Sequence, residues 1–255
     1  MTFKKIIKDT LNFFNLDIKF INKELKDLTF DQIYKKKIKS NPVIFDIGAN
    51  QGQSIERFKK IFNNPIIHAF EPVDFEFKKL EKKYSKDKNI ILNNCAVGDK
   101  NCYRDFNITA KTGNSSFNKI TPDTQWLNIR STQFKTSPEN YTKNIKQTKI
   151  ITLDNYCSKN QIVNIDILKI DTQGYEDKVL EGAQEIMKKE IIFTIESEIM
   201  FDDVYEKYLT FSDLEKYLIP NNFRLVGINT TNNNLFSGIV FFADVLYFNK
   251  KKFKF

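Results

Sequence analysis

The stretch Val43-Ile44-Phe45-Asp46-Ile47-Gly48-Ala49-Asn50-Gln51-Gly52 constrains this chain more than any other. An apolar run enters a glycine turn, and a helix-forming segment follows. That order reads as a buried strand, a tight turn and a helix, the opening unit of a parallel α/β sheet. A second apolar run, Ile66–Phe70, ends on Glu71. Open α/β sheets place ligands at the carboxyl ends of their strands, and a carboxylate there can accept from both hydroxyls of a ribose. The pair predicts a nucleoside-bearing cofactor.

Apolar runs and amphipathic segments then alternate. Strands are predicted at Val43–Ile47, Ile66–Phe70, Ile90–Leu92, Ile167–Ile170, Ile191–Ile195, Arg224–Ile228 and Val245–Phe248. Helices are predicted at Ser54–Phe62, Phe75–Tyr84, Tyr175–Lys188 and Phe211–Leu218. This pattern predicts an α/β fold, Rossmann-like and doubly wound, with a mostly parallel sheet covered on both faces. The last two strands have only the turn-rich 229–238 segment between them, so they can pair antiparallel.

Residues 1–40 read as a helical N-terminal extension. Phe3, Ile6, Ile7, Leu11 and Phe14 recur at helical spacing among lysines, and a second helix includes Phe30–Ile38 before Asn41-Pro42 breaks it. Such a helix packs on its own domain or on a second subunit, or lies on a membrane surface through residues 1–20. Residues 41–255 form the main domain. Its 100–165 segment is an insertion rich in Asn, Thr and Ser, with Gly113-Asn114-Ser115-Ser116 and the single tryptophan, Trp126. Two strand-like pieces, Tyr103–Ile108 and Lys149–Leu153, suit an extra edge pair. A long polar loop inside a compact domain is commonly functional.

Composition excludes several classes. The net charge is +8, but the lysines are dispersed and no basic run is interleaved with aromatics, which argues against nucleic acid as partner. No apolar run reaches the length of a membrane span. Cys95, Cys102 and Cys157 make neither a CxxC pair nor a zinc pattern, which suits a reduced, cytoplasmic setting without a metal.

Gly48 and Gly52 let the backbone turn sharply and approach a ligand, and the following helix presents free N–H groups. A dinucleotide such as NAD and S-adenosylmethionine both suit that arrangement. A dinucleotide fingerprint wants glycine where Asn50 stands, because a side chain there crowds the pyrophosphate. Asp46, ahead of the turn, could attract an ammonium group such as the amino end of methionine. These two residues favour S-adenosylmethionine.

The segment Ile165-Asp166-Ile167-Leu168-Lys169-Ile170-Asp171-Thr172-Gln173-Gly174-Tyr175-Glu176 is followed by Val179-Leu180-Glu181-Gly182-Ala183. Together with Asp46–Gly52, Glu71-Pro72 and Ala96-Val97-Gly98-Asp99, it resembles the FkbM family of S-adenosylmethionine-dependent methyltransferases, from about Val43 to Phe248. The resemblance implies a seven-stranded sheet with a reversed final strand. It also implies methyl transfer to an oxygen on a small-molecule, sugar, glycan or natural-product acceptor.

On that reading Asp46, Gly48, Asn50 and Gly52 hold the methionine end of the cofactor and Glu71 the ribose, while Asn94, Cys95 and Ala96 meet the adenine. Asp171, at a strand end, is the leading candidate for general base; helix capping is its structural alternative. Lys169 shares its face of the sheet, so the two should interact. Glu196 and Glu198, also sharing a face, are further candidates for base or acceptor binding, and Glu176 suits the helix dipole. Asn114, Ser115 and Ser116 offer hydrogen bonds to a polyhydroxyl acceptor. His68, the single histidine, lies inside a strand and reads as a core residue. An NAD-dependent enzyme of similar fold and a non-catalytic cofactor-binding module are the competing classes.

Overall fold

A computed structural model describes residues 28–230, 235 and 239–253. The helix expected over Phe3–Phe14, and with it the surface role of residues 1–20, lies outside the described residues. The elements run α1 (Phe30–Lys37), β1 (Val43–Ile47), α2 (Gln53–Ile61), β2 (Ile66–Phe70), α3 (Asp74–Tyr84), β3 (Ile90–Asn93), β4 (Ala96–Val97) and β5 (Cys102–Thr109). They continue as α4 (Gln125–Gln133), β6 (Thr142–Ile151), α5 (Leu153–Lys159), β7 (Ile165–Ile170), α6 (Glu176–Glu181) and α7 (Gln184–Lys188). The chain closes with β8 (Ile192–Met200), α8 (Phe211–Leu218), β9 (Phe223–Asn229) and β10 (Phe242–Asn249).

Seven strands form one sheet in the order β3-β2-β1-β7-β8-β10-β9. Strands β3, β2, β1, β7 and β8 pair parallel; β10 runs antiparallel to both β8 and β9. The fold is therefore the Rossmann-like, doubly wound one expected, with its last strand reversed. Both faces are buried, which is why the strands read as continuous apolar runs. Ile44, Ile167, Leu246 and Phe248 pack under α1, α2 and α3. Phe45, Leu168, Ile195 and Val245 pack under α5 to α8.

Helix α1 belongs to this core. Thr29 and Gln32 form a capping box at its start. Its Phe30, Ile33 and Tyr34 are buried against Ile44, Phe58 and Leu246. Burying each of those side chains stabilises the fold by roughly 1.5–3 kcal/mol.

Two expectations are corrected. The helix predicted over Tyr175–Lys188 is two helices, α6 and α7, joined at Gly182-Ala183. A Cβ on Gly182 would stand 2.0 Å from the carbonyl oxygen of Gly98, so the break brings the two backbones into contact. The 100–165 insertion is also more regular than its composition suggests. Strands β5 and β6 form an antiparallel ribbon, and β4 pairs parallel with β6, giving a separate three-stranded sheet. The predicted pieces do pair, Tyr103 opposite Lys149, but β6 starts at Thr142, and Leu153 begins a helix instead. Strand β6 is mostly exposed and carries little apolar pattern. The ribbon and α4 pack on a small third core around Trp126, Tyr141, Met200 and Tyr205.

Candidate active site

A cavity of about 770 Å³ lies at the carboxyl ends of β1, β2, β7 and β8, with the insertion forming its other wall. One half is built from the first two strands. The chain leaves β1 with Gly48 at φ 88 and Asn50 at φ 45. A Cβ on Gly48 would stand 2.0 Å from the Asp171 carbonyl oxygen, so only glycine lets these two strand ends approach. The Asn50 N–H donates to Glu71 Oε2, and the Val73 N–H to Glu71 Oε1, both at 2.7 Å. Burial pushes the Glu71 carboxyl up to about 7, against these two bonds. Helix α2 starts without a side-chain cap, and its first-turn residues Gln53 and Ser54 are on the cavity wall. Unpaired N–H groups at a helix start favour an anion.

Cys95 and Ala96 are buried on the same wall, and burial pushes the Cys95 thiol up to about 11. Three expected cofactor residues stand elsewhere. Asn94 is exposed and off the wall; its amide donates to the Glu71 carbonyl. Gly52 makes room for the Tyr84 hydroxyl, which its Cβ would meet at 2.9 Å. Asp46 is fully buried, behind the wall rather than on it. Neither of its oxygens has a hydrogen-bond partner, and Lys169 Nζ lies 3.9 Å away. Burial pushes Asp46 up to about 6, and the Lys169 charge opposes that rise.

Two rows of charge cross the sheet at this end. Asp46, Lys169 and Glu196 are in register on β1, β7 and β8. Glu196 accepts from the Tyr34 hydroxyl and from Arg57 Nη1, both at 2.6 Å, so α1 and α2 both reach this carboxylate. Beyond that row stand Asp171, Glu198 and Asp244, the last two opposite each other on β8 and β10. Lys169 Nζ donates to Asp171 Oδ2 at 3.1 Å, the interaction expected from their shared face.

Gln173, at φ 58, joins the carboxylates. Its Nε2 donates to Asp171 Oδ1 and to Glu198 Oε1, each at 2.9 Å, while its Oε1 accepts from the Tyr205 hydroxyl at 2.9 Å. Burial would raise the Asp171 carboxyl, but Lys169 and the Gln173 bond outweigh it and hold the group below the usual range. Burial and then the Asp171 charge push Glu198 well above its usual range. The pair is thus pushed apart, Asp171 toward its ionised form and Glu198 toward its protonated one. Glu176 holds the loop that carries Gln173: Oε1 accepts from Thr172 N at 2.9 Å, Thr172 Oγ1 at 3.1 Å and Gly174 N at 3.2 Å. His68 is a core residue, stacked on Phe45 and 2.8 Å from the Tyr156 hydroxyl.

On the insertion side, Thr112–Asn114 is a short 3-10 turn rather than a free loop. Asn114 and Ser115 are on the wall with partners already: Asn114 Oδ1 accepts from the Tyr141 hydroxyl, and Ser115 Oγ from the Thr109 N–H. Ser116 is buried off the wall, its Oγ accepting from the Asn118 N–H at 3.0 Å. Lys111, Trp126, Arg130 and Phe134, which the sequence reading did not assign, line this half, and Asp244, also unassigned, lines the sheet side. Nor did it assign Tyr34, Arg57 or Gln173. A buried Glu196 would have demanded a cation, but nothing local marks which residue of α2 supplies it. Among the described residues no helix is long and apolar enough to cross a membrane.

The family model described as "Methyltransferase FkbM domain" matches residues 46–225. A curated relative, the 2-O-methyltransferase NoeI of Sinorhizobium fredii, is 26% identical over 156 residues, covering 59% of this chain and 61% of that protein. The chain thus spans less than two thirds of that relative's length. Among solved structures, a Methanococcus jannaschii fibrillarin pre-rRNA processing protein aligns with a TM-score of 0.47 at 12% identity, over 83% of this chain and 68% of that one. M. capricolum TrmK, in complex with S-adenosyl-homocysteine, aligns with a TM-score of 0.45 at 12% identity, over 87% of this chain and 69% of that one.

Proposed function

The chain belongs to the FkbM family of methyltransferases and uses S-adenosylmethionine; on that premise we propose that it methylates a hydroxyl oxygen of a sugar, glycan or natural-product acceptor. The observation that carries this reading is Asp171, an ionised carboxylate on the cavity wall at a strand end, fixed by Lys169 and Gln173. A hydroxyl is a weak nucleophile until its proton is leaving, so an O-methyltransferase gains from such a base. The name of the curated relative, a 2-O-methyltransferase, supports the same chemistry.

The donor set suits the cofactor. Glu71 keeps lone pairs for a vicinal diol, the uncapped start of α2 suits a carboxylate, and Cys95 with Ala96 offers an apolar slot for a base. When bound, S-adenosylmethionine supplies an electrophilic methyl group on a sulfonium. Gly48, Asn50 and Glu71 form the backbone-lined side of its site. Asp46, behind the wall, acts through Lys169.

Asp171 accepts the acceptor's hydroxyl proton. Lys169 keeps that carboxylate ionised beforehand, and Gln173 fixes its direction while tying it to Glu198. Glu196, taken up by Tyr34 and Arg57, is a positioning residue for this row rather than a base.

The test is a product analysis with methyl-deuterated S-adenosylmethionine and a panel of sugars and polyols. The expected product carries the label on oxygen. Asp171→Asn should lower its rate ~10²–10⁴-fold while S-adenosylhomocysteine affinity stays as in the wild type. A label found on carbon or nitrogen, or undiminished turnover in the variant, would overturn the proposal.

A further inference from the structure

Four cationic side chains line the cavity: Arg57, Lys111, Arg130 and Lys169. Arg57 is held by Glu196 and Lys169 by Asp171. Among the described residues, Lys111 and Arg130 have no ion-pair partner, yet both stand on the insertion's wall of the same cavity. The guanidinium of Arg130 lies over Trp126, 5.8 Å from the ring centroid, with Nη1 donating to Gln133 Oε1 at 2.9 Å. Its Nε is buried and has no acceptor. A buried donor of a charged group left without an acceptor is costly, so this one is suited to an anion brought from outside. Lys111 is set at a fixed point of the backbone: its carbonyl accepts from Thr109 Oγ1 at 2.6 Å and from Asn114 N at 2.8 Å. Burial, and next the Arg130 charge, hold the Lys111 ammonium below its usual range, against the opposing pull of the Glu198 and Asp171 carboxylates.

We propose that Lys111 and Arg130 form a subsite for an anionic group, a phosphate or carboxylate, carried by the acceptor beside the aromatic wall of Trp126 and Phe134. The proposal rests on the reading that this half of the cavity receives the acceptor. An acceptor bound there is an anionic sugar or sugar conjugate. Its charge is met by the two cations at one end, leaving its hydroxyl to the carboxylates around Asp171 at the other.

Trp126 is the only tryptophan of the chain, so its fluorescence reports on this subsite alone. Inorganic pyrophosphate, glucuronate and glucose are titrated into protein saturated with S-adenosylhomocysteine, at constant ionic strength. The expected result is a saturable signal with pyrophosphate, which indicates a phosphorylated acceptor, or with glucuronate, which indicates a carboxylated one, and none with glucose. Apparent affinity should fall about tenfold in Lys111→Met and in Arg130→Gln, and hold in Arg130→Lys. Silence with both anions while S-adenosylhomocysteine is bound would overturn the subsite alone. So would a response that survives in the double variant. Loss of S-adenosylhomocysteine affinity in Lys111→Met or Arg130→Gln would instead assign these cations to the cofactor's carboxylate and also overturn the proposal. Labelling of acceptors on carbon or nitrogen, in the product analysis above, is the separate result that removes the reading beneath it.

Discussion

Arg57→Met tests the charge row most directly. Glu196 has a side chain 5% exposed and accepts two short bonds, from Tyr34 and from Arg57. Methionine keeps much of arginine's length but leaves a buried carboxylate without its nearest cation. Breaking a buried pair by removing one partner costs about 3–5 kcal/mol. Tyr34 still donates here, and Lys169 is the next residue in the row, so the lower end, about 3 kcal/mol, is expected. Urea unfolding followed by circular dichroism measures it as a lower midpoint at unchanged slope. The decisive arm is a double-mutant cycle. Glu196→Gln removes the buried charge that Arg57 neutralises and leaves its half-exposed pair with Asp31, so Arg57→Met in that background should cost far less than in the wild type. If Arg57→Met lies within about 0.5 kcal/mol of the wild type, or if its cost is the same in both backgrounds, the charge row is not what secures these helices.

Gly48→Ala places a methyl group against the Asp171 carbonyl at a positive φ, and should abolish the thermal stabilisation given by S-adenosylhomocysteine; a retained shift would refute the close approach. Glu71 and Asp46 are raised in the fold, to about 7 and about 6. Each therefore contributes stability that is complete below its unfolded value and is lost as pH rises through its folded one. Unfolding free energy of the free protein should accordingly fall less between pH 5 and 8 in Glu71→Gln than in the wild type; an unchanged profile would refute the assignment. Tyr34→Phe leaves Glu196 with one bond fewer, and should lower stability by about 1–2 kcal/mol in urea unfolding; no loss would show that α1 is not tied in through this hydroxyl.

Much of the central sheet could be read directly. Strands β1, β2 and β7 are mostly apolar and buried on both faces, and the glycines and carboxylates that follow them stand where an open sheet gathers ligands. The site was legible as far as a strand end dictates a side chain's position, as with Glu71, Asp171 and Lys169. It was less legible where depth mattered. Asp46 and Lys169 are paired on adjacent strands, and only burial shows that Asp46 lies behind the wall on which Lys169 stands. Asn94 follows its strand directly but turns outward, a choice made by Glu71's carbonyl and not by local sequence. Strand β6 was half seen because its exposed face carries lysines and threonines, with no core to impose alternation. The break at Gly182 has no local signal, because it is set by the Gly98 backbone packed against it.

The insertion leaves and rejoins the main domain at nearly one point. The Gly98 N–H donates to the Ile151 carbonyl at 3.0 Å, and the Thr152 N–H to Asn101 Oδ1 at 3.1 Å. Between those clasps lie Lys111, Asn114, Trp126 and Arg130, all on the cavity wall, whereas Glu71, Lys169 and Asp171 lie outside them. On the proposed reading the chain behaves like a chuck with an interchangeable bit: the methyl donor's fixture and the base stay with the sheet, and a substrate-facing wall is inserted at one point and packs on Met200 and Tyr205. Exchanging residues 101–152 between relatives should change which acceptor is methylated while S-adenosylhomocysteine binding is conserved.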